Sequence, residues 1–286
     1  VVTGKTAGKA GRQRHTYPVA LAMLVDDVIG GTATFALVCR YVRREIRELL
    51  HEDRELFLET MHVLWHEDTS TGRQTYGAAY TDVYDLAAYH TELASDILCD
   101  HMHDGLGFLT QHIALSLAFE QSMQAVNPRV ALPYWDFTID KHLYDVGNWS
   151  TLGDSPLWGS ERFGRAGGEY DTVPAGRGAY IQVKSNVWGQ SKHNSYGFMR
   201  APWNNNNRPY VTRKTDLCGI DYISMPSCEV HWYTLDKTHS WYDFGWVLPY
   251  APPGPVHMYV GGALNCNSTM TRVLDYIETL DSTQIQ

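Results

Sequence analysis

Apolar positions change rhythm several times along this chain of 286 residues. After a Gly-rich start, Tyr17 to Val25 and Thr32 to Val38 read as strand-like stretches. Val42, Ile46, Leu49 and Leu50 then recur at helical spacing with Arg and Glu between them, which predicts a first helix. His51-Glu52-Asp53 reads as a break, and Leu56, Phe57, Met61 and Leu64 form a second apolar stripe. Asp68 to Gly72 reads as a loop. A third helix is expected from about Tyr76 to Leu98 and a fourth from about Phe108 to Val126, ending before Asn127-Pro128. From Pro133 to about Met225, Gly, Pro, Asn and aromatic residues dominate with no sustained period, which reads as long loops packed around the preceding helices. The expected fold is mainly α, a four-helix-bundle core with long loop-rich excursions and few short strands. Residues 1–38 form an N-terminal arm and residues 39–286 one domain.

Composition narrows the function classes. The formal net charge of −9 argues against nucleic acid and anionic membrane surfaces as partners, since both require basic patches. The basic run of Lys5, Lys9, Arg12 and Arg14 is short and Gly-rich, and reads as a solvated arm. No apolar run reaches the length of a membrane span. The chain begins with Val and shows no signal peptide, as a processed or incompletely recorded chain would. Its five cysteines include no Cys-x-x-Cys pair, which argues against a zinc ribbon or thioredoxin-type site. Cys218 and Cys228 flank a short loop with Gly219 and Pro226, a plausible disulfide. Sequons at Asn148 and Asn267 are candidate glycosylation sites and fit a secreted protein.

The chain has 13 histidines, and their placement matters more than their number. His103 and His112 bracket a segment with two glycines, and His90 lies thirteen residues before His103 on the preceding helix. A helix, a Gly-containing turn and a second helix can bring three imidazoles to one point, and neutral imidazole suits copper, zinc, iron or nickel. The bland alternative is three surface histidines on charged helix faces. His62 and His66 lie at i and i+4 and share a helix face, but no third ligand is evident beside them.

These segments keep specific company. Cys39 to Leu49 (Cys-Arg-Tyr-Val-Arg-Arg-Glu-Ile-Arg-Glu-Leu), followed by Glu52 to Phe57, resembles the opening helices of short secreted tyrosinases. Tyr89-His90 with His103-Asp-Gly-Leu-Gly-Phe-Leu-Thr-Gln-His112 resembles the first copper motif of that type 3 copper family, which includes catechol oxidases and haemocyanins. Glu120, Pro133-Tyr134-Trp135-Asp136-Phe137, Ser155-Pro156-Leu157 and Val256-His257 with Gly261-Gly262 continue the resemblance in order, over roughly residues 39 to 266.

The resemblance implies a tyrosinase-type four-helix core holding two coppers, each on three histidines. It also implies dioxygen bound between the metals and phenolic small molecules as substrates. His90, His103 and His112 would hold the first copper, with Gly105 and Gly107 allowing the turn between ligands. The third ligand sits in Gln111-His112-Ile113 where the family has Trp-His-Arg, and His101 is an alternative to His103. In the second site His257 matches one ligand, but Pro253 stands four residues earlier where a histidine belongs. The tail from Ala263 to Gln286 contains no histidine, so this copper keeps one ligand of three. His193, His231 and His239 are the available substitutes. Asp136 reads as structural, bonded to backbone amides or to a ligand imidazole.

Two functions follow. One is a copper oxidase of phenols or catechols with an improvised second site. The other is a non-catalytic, extracellular structural or assembly glycoprotein that keeps the fold, with its strand-like N-terminal arm available for self-assembly.

Overall fold

The computed structural model describes residues 16–25, 28–38, 41–94, 100–103, 105–149, 152–168, 172–184, 209–213, 216–217, 220–221 and 225–261. Near the start, β1 (Thr16–Val25) and β2 (Val28–Val38) pair antiparallel, Thr16 opposite Val38 and Val25 opposite Val28, with a register shift between Met23 and Leu24. The two strand-like stretches of the sequence are therefore strands, and β2 begins earlier than the pattern indicates.

The segment Val42 to Leu50 departs from expectation: only Ile46–Glu48 form a short 3-10 turn. Its backbone groups are taken by a distant partner. The amide of Tyr134 donates to the carbonyl of Arg44 (3.0 Å), and the amide of Ile46 donates to the carbonyl of Tyr134 (2.9 Å), closing a parallel bridge. This tertiary pairing outweighs a weak helical preference. The expected break at His51-Glu52-Asp53 is instead the first turn of α1 (His51–His66), where Glu52 and Asp53 face the positive end of the helix dipole. Phe57, Leu58, Met61 and Leu64 bury its inner stripe.

The loop expected at Asp68 to Gly72 is also a helix. Asp68 accepts from the amide of Thr71 and caps α2 (Thr69–Tyr76). Asp82, almost wholly buried, accepts from the amides of Thr69 (2.8 Å) and Asp85 (2.8 Å), so it ties α2 to the first turn of α3 (Val83–Ala94). The third helix thus begins later than expected. Helix α4 (Gly107–Val126) matches the expected fourth helix within a residue. Asp136 caps α5 (Phe137–Asp145) by accepting from the Thr138 amide, the structural role read from sequence. The short β3 (Asp216–Leu217) and β4 (Ile220–Asp221) form a two-residue ladder. Three further helices follow: α6 (Cys228–Lys237), α7 (Trp241–Val247) and α8 (Pro253–Gly261).

The architecture is mostly helical, as expected. Helix α4 packs against α1, α3 and α7, and α1 also touches α3. The core beneath them joins α1 to Tyr80, Val83, Met123, Leu157, Trp158 and Met225. Loop segments of the second half close it through Trp135, whose ring meets Trp158 edge-on at 5.5 Å between centroids. Cys228 is exposed and unbridged among the described residues, and the suggested bridge to Cys218 falls on a residue outside them. Cys39, Cys99, Cys218 and Cys266 lie outside the described residues. No helix among the described residues is long and apolar enough to cross a membrane.

Candidate metal centre

The centre is built by two helices running in opposite directions. Ser122, fully buried on α4, accepts from the amide of Thr81 (2.8 Å) and donates to its carbonyl (2.6 Å). This clasp joins the late part of α4 to the entry of α3. His90 lies nine residues after Thr81, and His112 ten residues before Ser122. At about 1.5 Å per helical residue both histidines stand roughly 14 Å from the clasp, on the same level of the pair.

His103 comes from the connecting segment, and its position is fixed locally. Met102 is buried as an anchor, with 1 % of its surface exposed. The Asp100 carboxylate accepts from the amides of Met102 (2.7 Å) and His103 (2.9 Å). It also accepts from the His103 ring at Nδ1 (2.9 Å). Gly105 then adopts φ +92°, a left-handed conformation that side chains resist, and α4 starts two residues later. Gly107 is simply the first helical residue, so only one of the two glycines serves the turn in the way expected.

The three imidazoles converge. One ring nitrogen from each of His90, His103 and His112 lies within 4.8 Å of the others, and all three residues are half-buried. The ring of His90 stands edge-on to those of His103 (4.9 Å, 70°) and His112 (5.4 Å, 71°). His112 donates from Nδ1 to the carbonyl of Phe108 (2.8 Å). A carbonyl only accepts, so this nitrogen carries the proton and Nε2 presents its lone pair. The same reasoning applies to His103 against the Asp100 carboxylate. Such outer partners fix the tautomer and aim of a ligand imidazole.

The electrostatics agree. Burial holds the pKa of His112 below its ordinary value, against the opposing effect of the Phe108 carbonyl, with the neighbouring His103 adding to the depression. For Asp100, burial works against ionisation, but hydrogen bonds from the His103 and Met102 amides and the His103 ring win, and its pKa is lowered. The donor set is three imidazole nitrogens, one of the rings backed by a carboxylate, which fits a borderline divalent metal or copper.

Other candidates fall elsewhere. His101, the alternative to His103, is exposed and outside the converging group. Glu120 is buried and receives a bidentate contact from Arg43 (3.2 and 2.8 Å) and a bond from the Leu132 amide (2.9 Å), a structural role. His231 is half-buried against the ring of Phe137 (5.4 Å) and donates from Nδ1 to the Ser227 carbonyl. His239 is exposed. His257 lies on α8, but its side chain, like His193 and Asn267, is outside the described residues. Asn148 is exposed. Pro253 occupies the first position of α8, where a proline suits helix initiation and supplies no ligand atom. Among the described residues no second group of three or more metal-ligating side chains converges.

Sequence reasoning missed Asp100 and Ser122. Asp100 sits three residues before His103, a spacing typical of an Asx turn, and this was its available signal. A lone serine in an apolar helix gave none.

The common central domain of tyrosinase is the family description that matches residues 79–273, a stretch containing the three histidines and His257. Grixazone synthase from Streptomyces griseus subsp. griseus is 43% identical over 65 residues, 23% of this chain and 18% of that protein. The putative tyrosinase-like protein tyr-3 from Caenorhabditis elegans is 25% identical over 233 residues, 80% of this chain and 28% of that protein. The chain therefore spans less than a third of the length of either relative.

Proposed function

This chain belongs to the tyrosinase family, and from that premise we propose that it holds a single copper ion on His90, His103 and His112 and acts as a metal-stabilised, non-catalytic domain. The observation that carries this reading is the contrast between three converging imidazoles and a proline at the ligand position of α8. Copper, when bound, supplies one-electron redox chemistry at a site of neutral nitrogen donors. The residues do the rest. His90 holds the site from α3, His112 from α4, and His103 from the segment between them. Asp100 and the Phe108 carbonyl keep the protons of His103 and His112 on Nδ1, which leaves the Nε2 lone pair of each for a metal. A ligand set spanning two helices and their connection stabilises the fold that assembles it, because the unfolded chain offers no such site.

We place the protein outside the cell as an assembly domain, in keeping with the short secreted tyrosinases that its opening segment resembles. Among the described residues β1 and β2 pair with each other in a two-stranded sheet, and such a sheet is marginal by itself. A second copy of the chain is the partner assigned to that sheet. Deleting residues 1–30 should lower the assembled mass seen by light scattering, and an unchanged mass would remove this part of the reading.

A second reading, oxidation of small phenols with dioxygen, draws on family membership and the completeness of the first centre. Copper loading followed by electron paramagnetic resonance separates the two. The first reading expects a visible mononuclear signal and no dioxygen uptake with catechol. A silent, coupled copper pair with catechol turnover would establish the second.

A further inference from the structure

The turn that carries His103 has a second support besides Met102 and Asp100, and it comes from the later half of the chain. Helix α7 rests on Gly105 and Leu106, the two residues that lead from this turn into α4. It comes this close at Gly245, a buried position within α7. A methyl group there would lie 3.2 Å from Leu106 Cδ2, 3.3 Å from the Gly105 carbonyl oxygen and 3.3 Å from Leu106 Cα. Non-bonded carbon atoms settle at about 3.5–4.0 Å, so the added group needs a few tenths of an ångström from its neighbours.

Those neighbours have little to give. Two of the three atoms are backbone, and no change of rotamer moves them aside. Gly105 is held at φ +92°, and its carbonyl accepts from the Phe108 amide (3.3 Å). On the other side α7 is fixed as well. Ser240 caps it by accepting from the Asp243 amide (3.0 Å), and Thr234 of α6 reaches the Ala251 carbonyl just beyond it (3.3 Å). Helix preference does not account for the glycine, because glycine inside a helix is less favourable than alanine. Its service is the close approach to the turn.

We propose, resting on the copper reading above for the ligand alone, that Gly245 is a positioning residue of the metal centre. It admits α7 to the turn two residues after His103, and so sets where that imidazole stands relative to His90 and His112. The later half of the chain is thereby coupled to a centre whose three ligands all lie in the first half.

The test adds one methyl group. In the metal-free full chain, Gly245→Ala should shift the amide NMR resonances of Met102, His103 and Gly105. Those of Thr81 and Ser122, at the clasped end of the helix pair, should stay in place, and the thermal midpoint should be kept. With Cu²⁺ the variant should bind about tenfold more weakly, on the scale of a supporting residue, with an altered copper hyperfine splitting in electron paramagnetic resonance. Adding Leu106→Ala removes the nearest atom and should recover part of the affinity. Unmoved resonances at Met102, His103 and Gly105 overturn the proposal whether or not copper binds. So does an unchanged copper affinity, and so does a general spread of shifts with a lowered midpoint, which would make Gly245 a packing residue only. An unaltered chain that binds no copper removes the copper reading instead, and the resonances still decide the role of Gly245.

Discussion

The antiparallel pair α3 and α4 and the later stretch from α6 to α8 each carry histidines on helices, yet among the described residues only the first pair gathers them. In the first, a buried hydroxyl clasps the two helices at one end, and the histidines meet at a common distance from that clasp. The connection between them is pinned by Met102 and aimed by Asp100. In the later stretch, His231 packs on Phe137, His239 faces solvent, and α8 starts on a proline. A helix can persist without its ligands. A metal site cannot persist without the contacts that set helix level and ring orientation, and those contacts are in place around the first group.

The comparison can be broken most forcefully at a ligand. Removing one imidazole in His112→Ala should weaken copper binding at the centre by more than the ~10–100-fold expected of a supporting residue, measured by competition with a chelator. Asp100→Asn is the next largest. It keeps an oxygen for the Met102 and His103 amides but replaces the acceptor of the His103 ring, and should weaken copper by about 10–100-fold with little loss of fold stability. Ser122→Ala acts on the clasp itself. It leaves the half-buried amide and carbonyl of Thr81 without this partner, which should cost about 1 kcal/mol in urea unfolding. The smallest effect belongs to the other region: Pro253→His alone should leave the copper content unchanged, because one added imidazole does not complete a site. A newly coupled copper pair in that variant would show that α8 is already prepared to receive one.

Much of this arrangement was legible in the sequence, for physical reasons that differ by region. The long apolar period of α4 and the strand-like stretches of β1 and β2 reflect local preference, and they were read nearly in place. The segment after Tyr41 was misread as a helix because its backbone pairs with Tyr134, 90 or so residues away, and no local pattern encodes such a partner. Helix α2 was misread as a loop because its Thr-rich sequence carries little apolar period, although Asp68 followed by Thr71 was a legible cap. For the centre, spacing alone left metal ligands and surface histidines both open. The motif resemblance pointed to the same three residues that the structure brings together. The supporting Asp100 and Ser122 act through tertiary contacts, and so stayed hidden.

A single copper on α3, α4 and their connection is tested most directly by a spin count on the copper-loaded full chain after dialysis. The account predicts one copper per chain and one unpaired spin per copper. Two coppers per chain with a silent, coupled signal would contradict it, and would mean that the region around α8 completes a second centre after all.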